Sequence, residues 1–94
     1  MTSITETDLE TRRKRVRFRA WHRGTKENDI MIGHYIDQKI DHLSHEDCAW
    51  FELLFEESDQ DLQRWIMGFA DVPERFDVPL MAEMQKLDYL PIKR

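Results

Sequence analysis

The chain contains one cysteine, three glycines and three prolines, and it has no long apolar run. A single cysteine cannot form an internal disulfide, so the composition favours a reducing compartment over a secreted, disulfide-stapled domain. A membrane-spanning helix needs about 20 consecutive apolar residues, and no segment approaches that length. The first ten residues hold three acidic residues and no apolar core, unlike a secretory signal or an organelle presequence. We therefore expect a cytoplasmic protein without a membrane span.

Apolar and charged residues make up most of the sequence. Apolar residues account for 40% of the 94 residues and charged residues for 35%, which suits one domain with a modest core. The charge is uneven: residues 1–27 hold eight Lys or Arg against four Asp or Glu, and residues 28–94 hold six against fifteen. One end of the molecule is therefore suited to an acidic partner, whereas the rest repels nucleic acid and anionic membranes.

Apolar residues recur at a spacing near 3.6 from residue 8 onward, and no segment alternates as a half-buried strand does. The pattern predicts an all-α fold, a compact five-helix bundle in a single domain. The expected boundaries are a flexible N-terminus at 1–7, a helical domain at 8–90 and a tail at 91–94.

Helix 1 is predicted at 8–22 and helix 2 at 26–42, with three shorter helices after them. On helix 1, Phe18 and Trp21 lie well over 100° around the axis from the apolar seam, so the helix either packs on two sides or leaves an aromatic exposed. The predicted inward-facing residues of the five helices are Leu9, Val16, Ala20, Ile30, Gly33, Ile36, Ile40, Leu43, Trp50, Phe51, Leu54, Phe55, Leu62, Trp65, Ile66, Phe69, Leu80, Met84 and Leu87.

Capping residues define the helix ends. Gly24 is predicted to end helix 1 in the left-handed conformation, and Thr25 to cap helix 2. Ser44 and Asp47 form a capping-box pattern before helix 3, and Asp59 is predicted to cap helix 4. A proline at position 79 suits the first turn of helix 5.

No phosphate loop, dinucleotide fingerprint, nucleophile elbow or H-E-x-x-H motif can be written from these residues, so we expect no enzyme and no catalytic residue. The adjacent Glu56 and Glu57 face different sides of a helix and do not form an acid–base pair. His42, His45 and Cys48 have spacings typical of zinc ligands, but a helix start divides them and a fourth ligand is missing. We expect no metal site, and interpret the cysteine as a small core residue.

The strongest pattern for nucleic-acid binding is the basic run in helix 1. Its six cations spread around most of the helix circumference, and the domain that carries them is acidic, so an acidic protein surface is the more natural partner. A small nucleic-acid-binding module and a generic protein-interaction module remain the alternative functions. The run comprises Arg12, Arg13, Lys14, Arg15, Arg17 and Arg19.

The cluster Arg23-Gly24-Thr25-Lys26-Glu27 is only partly explained by capping. Capping accounts for the glycine and the threonine, but it does not require arginine at position 23. A guanidinium and a carboxylate on either side of a tight turn can make charge-assisted hydrogen bonds to a partner, and the glycine lets that partner approach closely.

These residues resemble the R-G-x-x-E signature of the succinate dehydrogenase FAD assembly factors, whose bacterial members are called SdhE. The resemblance extends beyond the motif. Asp29 and an apolar run follow it, Phe18-Arg-Ala-Trp-His22 precedes it as in alphaproteobacterial-type members, and Asp59-Gln-Asp-Leu-Gln-Arg-Trp-Ile66 is similar to their D-x-D-L-x-x-W-[IL] helix. Thr25 departs from the apolar residue that some members place after the glycine.

The resemblance implies a non-enzymatic assembly factor. Such a factor binds the flavoprotein subunit of succinate dehydrogenase, and in bacteria often that of fumarate reductase, and promotes covalent attachment of FAD to that subunit. The implied chaperone-like role needs a docking surface and no tightly bound cofactor, since the FAD is attached to the partner. The motif assigns docking to Arg23, Gly24 and Glu27, and by extension the surface includes Arg17, Arg19, Trp21, His22 and Asp29.

Overall fold

A computed structural model describes residues 6–91. The element order is α1 (Glu6–Trp21), α2 (Lys26–Lys39), α3 (His45–Leu54), α4 (Asp59–Ile66) and α5 (Pro79–Lys86), with short 3-10 segments at Ile40–His42 and Glu74–Phe76. The described residues form no strand, and the predicted all-α five-helix bundle is confirmed. Residues 1–5 and 92–94, within the predicted flexible N-terminus and tail, lie outside the described residues.

Serine and threonine side chains start the middle helices. The Thr25 hydroxyl accepts a hydrogen bond from a first-turn amide of α2, as predicted. Ser44 and Asp47 form the predicted capping box of α3. The prediction for α4 is wrong by one residue, because Ser58 accepts the capping hydrogen bond and Asp59 is the first residue inside the helix. That shift frees the Asp59 carboxylate for a different contact.

Helix α4 ends earlier than its apolar stripe predicts. Gly68 has a φ of +80°, its amide bonds the Trp65 carbonyl, and the Phe69 amide bonds the Arg64 carbonyl at 2.7 Å. This is a Schellman motif, in which a left-handed glycine reverses the chain after the helix. Phe69 therefore lies beyond the turn with 73% of its surface exposed, and its predicted place in the core is wrong.

The core lies where α1, α2 and α3 meet and extends to α4 and α5. Helix α2 contacts α1, α4 and α5, so it is buried on more than one side. Tyr35 is therefore buried although it lies off the predicted stripe, while Ile30 on that stripe is only half-buried. Cys48 is fully buried, as predicted. The buried apolar residues are Val16, Ala20, Met31, Ile32, Tyr35, Ile36, Leu43, Cys48, Phe51, Leu54, Phe55, Leu62, Trp65, Ile66, Phe76, Met81 and Met84.

The chain after α5 folds back onto α2. The Tyr89 hydroxyl donates to the Met31 carbonyl at 2.7 Å, and its ring meets Tyr35 edge-on at 5.4 Å.

Among the described residues, no helix has the length and apolar character needed to cross a membrane.

Candidate partner-binding site

Arg23 lies in the turn between α1 and α2, and its side chain points into its own protein. Its Nε donates to Asp59 Oδ1 at 3.0 Å, and its two terminal nitrogens donate to the carbonyls of Phe55 and Glu57 at 3.0 and 3.1 Å. Those carbonyls are free because α3 has just ended, and a cation is favoured at such a helix end. Only 13% of the side chain is exposed. The guanidinium therefore ties the turn to the α3–α4 connection.

Asp59 is the acceptor at the centre of this arrangement. Besides Arg23, its carboxylate accepts hydrogen bonds from the Gly24 amide at 2.8 Å and from Asn28 Nδ2 at 3.1 Å. Burial alone would raise the pKa of Asp59, but the hydrogen bonds from Asn28, Arg23 and Gly24 outweigh it and hold the pKa below its ordinary value. The carboxylate is therefore ionised at neutral pH and links three parts of the site.

Gly24 is needed for space and not for a left-handed backbone. Of the described glycines, only Gly68 has a positive φ, so the predicted left-handed conformation of Gly24 is wrong. A Cβ added at Gly24 would lie 2.4 Å from Asp59 Oδ2, well inside van der Waals contact. The glycine allows the carboxylate to reach the backbone amide of the turn.

Asn28 belongs to the same cluster, although no sequence pattern predicts its role. It is fully buried, and its side-chain nitrogen donates to both the Asp59 carbonyl and the Asp59 carboxylate. An asparagine side chain near a helix start usually bonds backbone groups close to it in the sequence. Only the approach of α4, more than thirty positions away in the chain, gives this amide its partners.

The remaining motif residues lie on the surface. Lys26 and Glu27 are both exposed in the first turn of α2. The neighbouring Asp29 points back, and its carboxylate accepts a hydrogen bond from the Arg23 amide at 2.6 Å. Asp29 therefore fixes the turn, and Glu27 is the carboxylate of the motif that faces solvent.

The predicted extension along α1 contains internal pairs. Arg17 contacts Asp37 at 2.5 Å, and Arg19 lies 3.5 Å from Glu56 with its guanidinium over the Phe55 ring. Each of these arginines thus has an acceptor within its own chain.

The two aromatic side chains of the extension differ in exposure. Trp21 donates its indole N–H to Asp37 at 3.2 Å and packs onto Gly33, where an added Cβ would lie 2.4 Å from the ring. His22 is exposed and stacks on Phe18, with ring centroids 4.0 Å apart. The sequence predicts that Phe18 and Trp21 both lie away from the apolar seam of helix 1, and Phe18 is the one that is exposed.

The rest of the basic run is also largely engaged. Arg12 forms a bidentate pair with Glu52 at 2.7 and 2.9 Å, and Arg13 donates to the Leu43 carbonyl. Lys14 and Arg15 are exposed. Fewer cations are therefore free for phosphate contacts than the sequence alone indicates.

The histidines and cysteine considered as metal ligands are dispersed. His42 is exposed in a 3-10 segment, and His45 Nδ1 lies 3.1 Å from an Arg12 nitrogen. Burial raises the pKa of the Cys48 thiol, which disfavours the thiolate needed for metal binding. Within residues 6–91 no three His, Cys, Asp or Glu side chains are grouped so as to hold a metal ion.

These contacts define a small helical protein with a rigid polar turn that presents a carboxylate and a neighbouring aromatic to solvent. Asp29 and Asp59 hold the turn at Arg23 in one arrangement before any partner binds, which lowers the entropy cost of binding another protein there.

Comparison with known proteins agrees with that class. A family model described as the flavinator of succinate dehydrogenase, Sdh5, matches residues 14–88. The FAD assembly factor SdhE of Acetobacter pasteurianus is 35% identical over 83 residues, which cover 88% of this chain and 76% of the relative. The chain belongs to this family of succinate dehydrogenase flavinators.

Two mitochondrial proteins named succinate dehydrogenase assembly factor 2 are also similar. The one from Dictyostelium discoideum is 30% identical over 78 residues, covering 83% of this chain and 55% of the relative. The one from Cryptococcus neoformans is 29% identical over 80 residues, covering 84% of this chain and 46% of the relative. The chain thus spans about half the length of these mitochondrial relatives. No solved structure matches the chain significantly.

Proposed function

We propose that this protein binds the flavoprotein subunit of succinate dehydrogenase and promotes the covalent attachment of FAD to that subunit. Membership of the flavinator family supports the proposal. The structural observation that supports the proposal is the turn between α1 and α2. Asp59 fixes this turn through Arg23 and the Gly24 amide, while Glu27 faces solvent. The flavoprotein of fumarate reductase, which the family resemblance also implies, is a second partner within the proposal.

In this mechanism the protein contributes binding and no reacting group. A factor that binds one arrangement of the flavoprotein more tightly than the others increases the population of that arrangement. A hundredfold preference corresponds to about 2.7 kcal/mol, which a modest interface can supply. FAD stays on the partner, so no tightly bound cofactor is required here. The proposed site of action is the cytoplasm.

The motif residues have different roles in the proposal. Glu27 contacts the partner directly, because its carboxylate is the exposed acidic group of the motif. Arg23 acts mainly by holding the turn, since its donors are directed to acceptors in its own chain. Gly24 keeps the turn close to Asp59, and it is itself exposed to a partner.

The direct test is Glu27→Ala in a strain that lacks the chromosomal gene. We expect covalent flavin on the succinate dehydrogenase flavoprotein, measured by in-gel fluorescence after denaturation, to fall at least about tenfold, as for a central interface residue. The matched control is Glu46→Ala, because Glu46 is exposed at the equivalent second position of α3. If the Glu27 variant loads flavin as well as the Glu46 control, Glu27 is not a contact residue. If the gene deletion itself leaves flavin loading unchanged, the proposed function is wrong.

A further inference from the structure

Phe18 forms an exposed aromatic platform on the outer face of α1. Its ring is 62% exposed, and His22, one turn later, stacks on it with an interplanar angle of 19°. The His22 Nδ1–H donates to the Phe18 carbonyl at 2.7 Å, because a carbonyl oxygen can only accept. The two rings are therefore held in one arrangement before any partner binds.

A shallow groove lies beside this pair, and its floor is also fixed. Lys14, Arg17 and Trp21 line the groove together with the stacked rings. Trp21 cannot move inward because it already contacts Gly33, and its indole N–H is bound by Asp37. Fixed aromatic side chains make efficient binding anchors, since little conformational entropy is lost when a partner covers them.

The groove adjoins the turn described above. His22 immediately precedes Arg23, and the stretch from Lys14 to His22 covers about 12 Å of helix at 1.5 Å per residue. A stable protein interface buries about 800 Å² on each partner, which is more than a turn of four residues can present. A partner that binds the turn therefore needs adjoining surface, and the platform provides it.

The charge on the rim indicates the chemistry of the occupant. Lys14 is exposed and has no ion pair among residues 8–91, and Arg17 on the same rim pairs with Asp37 but keeps 53% of its side chain exposed. An apolar side chain flanked by carboxylates would cover Phe18 and neutralise this rim.

We propose that the platform, defined as Phe18, His22 and the cationic rim at Lys14 and Arg17, is a second contact region for the flavoprotein subunit. It receives an apolar side chain of that subunit flanked by acidic residues. The inference rests on the proposed function and extends the contact surface along α1, with Phe18 as its anchor in place of the packed Trp21.

The test compares two highly exposed phenylalanines, Phe18 and Phe69. Phe69 is 73% exposed but lies past the C-terminal end of α4, a helix that begins at Asp59 and is about 12 Å long. We expect Phe18→Ala to weaken binding of the purified apo-flavoprotein subunit of succinate dehydrogenase by about 10- to 30-fold, measured by calorimetry. Phe69→Ala should bind within about twofold of the unsubstituted protein. Thermal unfolding of both variants checks that they remain folded.

A charge reversal tests the rim independently of the aromatic ring. We expect Lys14→Glu to weaken binding and to reduce its dependence on salt, whereas Lys86→Glu, at an exposed position at the end of α5, should change neither. Equal affinities for the Phe18 and Phe69 variants, together with no effect of Lys14→Glu, would overturn the inference. Failure of the unsubstituted protein to bind the subunit or load flavin would instead contradict the proposed function.

Discussion

Replacing Arg23 by alanine should destabilise the fold, although Arg23 belongs to the motif that the sequence assigns to docking. The side chain makes three hydrogen bonds and is 13% exposed. Hydrogen bonds to charged groups contribute about 1.5–3 kcal/mol each, but they are not additive, and the Asp59 carboxylate keeps its bonds from Asn28 and Gly24. We expect Arg23→Ala to lower the free energy of unfolding by about 2–4 kcal/mol.

Urea unfolding followed by tryptophan fluorescence measures this difference, provided that the slope of free energy against urea is unchanged. The matched control is Arg75→Ala, since Arg75 pairs with Glu57 at 3.3 Å but is 65% exposed. Surface pairs of that kind contribute at most about 1 kcal/mol. Glu27→Ala should also stay within about 0.5 kcal/mol of the unsubstituted protein. If Arg23→Ala is as stable as these two variants, the role of Arg23 in holding the turn is refuted.

Three further changes test other parts of the structure by the same urea assay. Gly33→Ala should cost about 1–3 kcal/mol, because its methyl group would overlap the Trp21 ring; no loss would contradict the close packing of α1 on α2. Asp59→Asn should cost about 1–3 kcal/mol at pH 7. Folding lowers the pKa of Asp59, so the ionised carboxylate stabilises the fold above its ordinary pKa of 3.8, and this stabilisation is lost as the pH falls through the lower pKa of the folded state. The difference in free energy of unfolding between Asp59→Asn and the unsubstituted protein should therefore narrow below about pH 4. Trp65→Ala, at a ring only 7% exposed, should cost about 3–5 kcal/mol; a smaller loss would show that the site can collapse around the gap.

The fold class follows from the sequence because its signals are local. Apolar spacing near 3.6 predicts the helices, and Thr25 and Ser44 cap α2 and α3 through hydrogen bonds that span only three residues. The prediction for Phe69 failed because apolar periodicity alone does not show where a helix ends. The left-handed Gly68, one residue before Phe69, ends α4.

The sequence locates the candidate site, because the motif residues are contiguous, but it does not predict how the turn is held. The motif residues lie together at the turn, but which of them face solvent depends on contacts between distant segments. The sequence predicts Asp59 as a helix cap because aspartate is common at that position. It predicts a left-handed Gly24 because glycine often ends helices in that conformation. Only the packing of α4 against α2 brings the carboxylate to the turn and gives Asn28 its partners.

Arg23 and Asp59 are 36 positions apart in the chain, and each satisfies the charge of the other. Losing either one alone leaves an incompletely compensated ion near the helix ends, whereas exchanging both for uncharged residues of similar volume leaves no such ion. Among descendants of this chain, the two positions should therefore change together. Gly24 should be replaced by other residues only in lineages where no carboxylate reaches the turn.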